Sequence, residues 1–171
     1  ATAMQATGLH RRIALNVLKV AGEKTSHIVA GAIVISIILA FFVPSATARA
    51  GAVVPILLGM VAAFGMTVDS KLSALLVITA VQAVSIWNVG IKTAAAQNLV
   101  AIGFIEDQMG QTVSWGKWFL WAAPWAVLMS IALYFIMLAV MKPEVDRIEG
   151  GRELVQQQLD EMGPMTGAEK R

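Results

Sequence analysis

The 171-residue chain has no cysteine, which excludes disulfides and thiolate metal sites. Its only histidines, His10 and His27, are far apart and have no cluster of metal-ligating residues around them. It is also short of charge. Only 14% of residues are Asp, Glu, Lys or Arg, against about a quarter in a soluble domain. With 57% hydrophobic residues and a mean hydropathy of +0.71, too little polar material is present to cover a soluble globule. The chain therefore reads as an integral membrane protein. A formal charge of +2, carried by scattered bases, gives no argument for nucleic acid. There is no nucleophile elbow, no phosphate-binding loop and no paired carboxylate at membrane depth, so nothing points to an enzyme.

The scarcest group within the apolar region is acid. From Thr25 to Thr67 there is no carboxylate, yet there is Arg49; from Lys71 to Ile105 there is none, yet there is Lys92. An ionisable group at membrane depth costs at least about 2.5 kcal/mol and often marks a substrate path.

The pattern predicts an all-α membrane protein. Residues 1–26 hold an amphipathic interfacial helix and loop, with Leu9, Ile13, Val17 and Val20 on one face and Arg11, Arg12 and Lys19 on another. Residues 27–66 contain two apolar runs of about 17 residues, roughly 25 Å of helix each, against a hydrocarbon core of about 30 Å. They flank a polar tip at 44–50, "PSATARA". That describes a re-entrant helical hairpin; two ordinary spans joined by an interfacial turn fit the same pattern. Residues 72–105 read as a discontinuous transmembrane helix, too long for one span and interrupted at 88–93, "NVGIKT". Residues 118–141 are a full span, with Ser114 as a cap before it and "KP" as its stop. Trp115, Trp118, Trp121 and Trp125 suit an aromatic belt. Residues 142–171 read as a polar, solvent-facing linker on the cytoplasmic side, where the positive-inside rule puts most of the basic groups.

Each lone cation falls at a helix break, beside small or hydroxyl residues. A pair of cations without acids suggests that the partner is an anion from solution. Helix N-termini opening after the breaks, at Ala48 and Thr93, add N–H donors and positive dipole ends. Ser45 and Thr47 add hydroxyl donors suited to carboxylate oxygens. Two structural alternatives stand beside this reading. Lys92 snorkels to an interface, or Arg49 ties carbonyls freed near Pro44 and Gly51. In a non-transporting membrane protein both cations are structural.

"PSATARAG" followed by "VVPI" resembles the hairpin-tip motif of the divalent-anion:sodium symporter family, the di- and tricarboxylate and sulfate permeases, in its dicarboxylate-translocator branch. Ser45 and Thr47 match the tip's serine and threonine, and Arg49 matches the branch arginine. Ala46 replaces an asparagine. "TGLHRRIAL", "SWGKWFLWAAPWAVL" and "LDEMGPMTGAEK" extend the likeness over nearly the whole chain. The resemblance implies one of two inverted repeats of an elevator-type carrier, with residues 142–171 leading to an absent second repeat. It also implies a homodimer, a bacterial inner-membrane location and transport of small divalent anions. The candidate substrate-binding set is Ser45, Ala46, Thr47, Arg49, Lys92 and Thr93. The candidate cation-binding set, for a coupling sodium ion, is Ser45, Ala46, Asn88 and Gly90. Ala46 lacks the amide of the family motif, and Phe41 offers no oxygen one turn earlier, so an exchanger rivals a symporter. No other cofactor is expected.

Overall fold

The computed structural model describes residues 9–63, 65–147 and 150–164. Among these residues the fold is all-helical, seven helices without a strand. They are α1 (Leu9–Ala21), α2 (Thr25–Phe42), α3 (Ala46–Ala63), α4 (Lys71–Gly90), α5 (Ala96–Met109), α6 (Trp115–Met141) and α7 (Gly151–Glu161). Three of them, α2, α4 and α6, are long and apolar enough to cross a membrane. The apolar run in α3 is shorter.

Local chemistry sets the boundaries. α2 stops at Phe42 because Pro44 pushes the preceding residue out of the helical region, and Val43 is extended (φ −117°, ψ 100°). Ser45 then starts α3 as its N-cap: its carbonyl accepts from the Arg49 N–H at 3.1 Å and its hydroxyl from the Ala48 N–H at 3.3 Å. The expected opening at Ala48 therefore moves two residues earlier, to Ala46. Ser70 caps α4, accepting from the Ser73 N–H at 3.2 Å. Ser114 caps α6, accepting from the Lys117 N–H at 3.2 Å. Gly110 ends α5 in the left-handed region (φ 62°), where a side chain would be strained.

The interruption expected at 88–93 lies at residues 91–95. α4 continues through Asn88 and Gly90, and α5 begins only at Ala96. α5 runs past residue 105, where the sequence ends the discontinuous helix, and carries Glu106 and Asp107.

α4 is the centre of the fold, packed against α2, α3 and α6. The larger core joins buried residues of α1 to α4 with Met137 of α6 and Val155 of α7. A smaller core, Ala40, Trp87, Ile91, Ala94 and Ala126, lies where α2, α4, the interruption and α6 meet. α6 contributes a narrow buried stripe, Ala123, Ala126, Ser130 and Met137, flanked by partly buried residues, and leaves much of its apolar surface exposed. Trp115, Trp121 and Trp125 stand on that exposed surface.

The helices α1 and α7 both pack on the larger core. The buried face of α1 is Ala14, Leu15 and Leu18, with Ile13 and Val17 only partly covered and Val20 85% exposed. α1 is apolar on more than one side, and the neighbours α2 and α7 select which side is buried. The segment after α6 is not simply solvent-facing either. It contains α7, whose Val155 is buried and whose Leu154 and Leu159 pack on the larger core. Charged residues between these positions masked the apolar spacing.

Candidate functional site

The break after α2 and the interruption between α4 and α5 are joined by one side chain. Arg49, in the first turn of α3, has no exposed surface. Its Nη2 donates to the Asn88 side-chain oxygen in the last turn of α4, and to the Ala94 carbonyl at 3.4 Å. Its Nε and Nη1 are buried without a hydrogen-bond partner among the described residues. An arginine carries five N–H donors, so most of this one's donor capacity is unused. Burying a charge without an opposite charge or full hydrogen bonding is costly. The structural alternative read from sequence had Arg49 tying carbonyls near Pro44 and Gly51. The carbonyl it reaches belongs to the other break.

The interruption itself is closed by donors. A helix C-terminus leaves its last carbonyls without intrahelical partners, and at membrane depth each needs a donor. Asn98, in the first turn of α5, donates through Nδ2 to the Asn88 carbonyl at 2.6 Å and the Ile91 carbonyl at 2.9 Å, with Lys92 O farther off at 3.4 Å. Trp118 of α6 donates its indole N–H to the Val89 carbonyl at 2.9 Å. Deeper along the same contact, Trp87 donates to Ser130 Oγ at 2.9 Å, and Ser130 donates to the Ala126 carbonyl at 2.8 Å.

Lys92 points elsewhere. Its Nζ donates to the Val113 carbonyl at 2.6 Å, while the Val113 N–H donates to Glu106 Oε1 at 2.9 Å. The lysine thus straps the loop before α6 to the interruption. The sequence reading of two unpartnered cations is corrected here: both have protein acceptors, and among the described residues Arg49 is the one whose remaining donors are buried without a partner. The burial of Arg49 also removes it from direct contact with a solute in this conformation.

The remaining candidates divide by exposure. Thr47 and Thr93 are exposed, and Ser45 and Ala46 are half-buried. Asn88 is half-buried and engaged by Arg49. Gly90 is buried for a packing reason. A Cβ built there lies 2.9 Å from the Ala126 Cβ and 3.0 Å from the Trp87 ring, so glycine lets α4 approach α6. Gly90→Ala is expected to force these helices apart and cost about 1–3 kcal/mol, read as a lower unfolding midpoint in detergent. Beside the tip, Phe41 contacts the rings of Trp115 (6.2 Å) and Phe119 (6.0 Å), which stack on each other at 5.2 Å. Among the described residues no three His, Cys, Asp or Glu side chains are grouped to hold a metal.

Sequence reasoning passed over Asn98 and Trp118 as functional elements. The signal for Asn98 is an amide six to ten residues after the carbonyls it caps, those of Asn88, Ile91 and Lys92.

A buried guanidinium joins two helix breaks in a chain whose three long apolar helices mark it as an integral membrane protein. The chain belongs to the family described as "Sodium:sulfate symporter transmembrane region", which matches residues 1–171. It is 48% identical over 169 residues to a protein of Cupriavidus necator named only "Membrane protein", covering 99% of this chain and 33% of that one. It is 29% identical over 170 residues to the citrate/succinate antiporter of Escherichia coli, covering 96% of this chain and 35% of the relative. With the L-tartrate/succinate antiporter of Escherichia coli it shares 28% over 175 residues, covering 99% and 36% respectively. The chain therefore spans about a third of the length of the curated relatives it matches.

Proposed function

We propose that the full-length protein containing this chain exchanges small divalent organic anions, C4 dicarboxylates first among them, across the bacterial inner membrane. The observation that carries the reading is the buried Arg49 between the α3 tip and the α4–α5 interruption, with no carboxylate partner among the described residues. Its positive charge lies behind the surface bearing Ser45 and Thr47, and a low-dielectric surround extends its reach. In this reading the hydroxyls of Ser45, Thr47 and Thr93, with the tip backbone at Ala46, contact a substrate carboxylate. Arg49 acts through its field, and Lys92 holds the neighbouring loop.

Exchange is preferred over sodium symport for a physical reason. A sodium ion at this break needs oxygen ligands, and several of those nearest Arg49 already accept hydrogen bonds. Asn88 Oδ1 and the Ala94 carbonyl accept from the guanidinium, and the carbonyls of Asn88 and Ile91 accept from Asn98. Ala46 supplies no side-chain oxygen, and a fixed positive charge repels a second cation. The cation-binding assignment of Ser45, Ala46, Asn88 and Gly90 is therefore not carried into this proposal. The antiporter names of two relatives favour the same mode, and succinate is common to both names. A homodimer with the second repeat completing the site is part of the proposal.

The experiment is counterflow in proteoliposomes of the full-length protein. Labelled succinate is expected to enter vesicles preloaded with succinate, equally well in sodium and in potassium buffer. Uptake into empty vesicles driven by a sodium gradient would overturn the exchange reading. Sulfate, the anion in the family's description, competing better than succinate would overturn the substrate class.

A further inference from the structure

The segment that follows α6 is tied to the rest of the chain at two ends and along its length. Just after α6, Thr25 at the start of α2 donates its hydroxyl to the Val145 carbonyl at 2.5 Å and its N–H to the Asp146 carbonyl at 3.0 Å. Lys24 and Arg147 form an antiparallel bridge there. Thr25 is buried, and its hydroxyl bond to Val145 is partly buried. At the other end Arg12 of α1 donates to the Gly163 carbonyl at 2.9 Å and the Met162 carbonyl at 3.3 Å. That places a guanidinium on the negative end of the α7 dipole and satisfies carbonyls released where α7 stops. Between the two ends Val155 is buried, and Leu154, Leu159 and Met162 pack on the larger core. α7 lies against both α1 and α3.

We propose that α7 and its 145–147 strap form a clamp that holds α1, the hairpin α2–α3 and the end of α6 as one moving body. A solvated tether is the contrasting arrangement: it would let α1 swing against the hairpin about the 22–24 turn. Three observations stand against the tether. α1 gives fully buried Ala14 and Leu15 to the same core as the hairpin, the strap bonds start from the buried Thr25, and one arginine caps the clamp's far end. The inference does not depend on which anion is carried, or on whether any is.

The test uses the full-length protein in a background freed of any cysteines elsewhere; these 171 residues contribute none. Residues paired across an antiparallel bridge have Cα atoms about 4.5–5.5 Å apart, within the range a disulfide accepts. Lys24→Cys with Arg147→Cys is expected to oxidise nearly completely and to leave succinate counterflow within about twofold of the reduced form. Failure of the bond to form, or its formation with loss of counterflow that a reductant restores, would overturn the clamp. Hydrogen exchange provides a readout free of transport. Amides of residues 154–161 are expected to be protected in the unsubstituted protein, and Arg12→Met to speed their exchange at least tenfold without changing α4. Rapid exchange of α7 in the unsubstituted protein would sink the proposal, and so would an Arg12→Met variant identical to it.

Discussion

Arg49→Met in the full-length protein is expected to lower dicarboxylate counterflow by about a hundredfold or more while leaving the purified protein no less stable. The two halves of this expectation have different causes. Two unit charges about 6–8 Å apart interact by about 2–3 kcal/mol at an effective dielectric constant of about 20, and at about 1.4 kcal/mol per factor of ten this is roughly 30- to 100-fold for each unit of substrate charge. In the empty protein, however, Arg49 is a buried charge with two nitrogens lacking partners. Replacing such a charge with an apolar side chain of similar length removes a desolvation cost and is often neutral or stabilising by about 1–4 kcal/mol. The loss of the bond to Asn88 offsets part of that gain. Arg49→Lys keeps the charge but replaces the planar fork with a shorter point charge that cannot span Asn88 and Ala94 together. It is expected to retain part of the activity. Counterflow and thermal unfolding of the same preparations separate the cases. If Arg49→Met unfolds the protein, Arg49 is a structural tie. If it transports normally, the anion reading of the break is wrong.

The second large effect is expected at Asn98. Asn98→Ala removes the donor from the carbonyls of Asn88 and Ile91, which it holds at 2.6 and 2.9 Å. Each buried acceptor left without a donor costs about 1–3 kcal/mol, so the loss for the pair is roughly 2–6 kcal/mol. That is a sizeable share of the 5–15 kcal/mol typical of a folded domain. Asn98→Ser keeps one donor and is expected to fall between. Unfolding midpoints in detergent check the order. An Asn98→Ala variant as stable as the parent would mean that water reaches the interruption, and the dry, protein-capped break described above would be lost with it. Arg49 and Asn98 thus make opposite predictions for stability although they converge on the same residue, Asn88.

The hairpin pattern, the apolar spans and the charged tip were legible because they are written locally. Pro44 fixes where α2 ends, Ser70 and Ser114 carry their own capping chemistry, and an arginine without an acid within twenty residues stands out in any apolar run. The interruption between α4 and α5 was legible as an event but not to the residue. Asn88 and Gly90 are poor helix formers, yet both remain helical, Gly90 because Ala126 needs the space and Asn88 because Arg49 and Asn98 engage it. The break shifts to 91–95, where Arg49 and Asn98 supply donors to its carbonyls.

Lys92 marks the limit most plainly. Its charge, its position at a break and the small residues around it read as a ligand for an anion, and the same features serve a strap onto Val113. The sequence by itself determined that this is a membrane chain, where its helices start and stop to within a few residues, and that positive charge is spent inside it. Only the tertiary structure decided which cation is enclosed and which is tied to a loop, which face of α1 is covered, and that the chain after α6 folds back as α7. The reason is physical. Capping and apolarity act over a few neighbouring residues, whereas a hydrogen-bond partner for a buried donor is chosen by whichever distant segment packing brings within 3 Å.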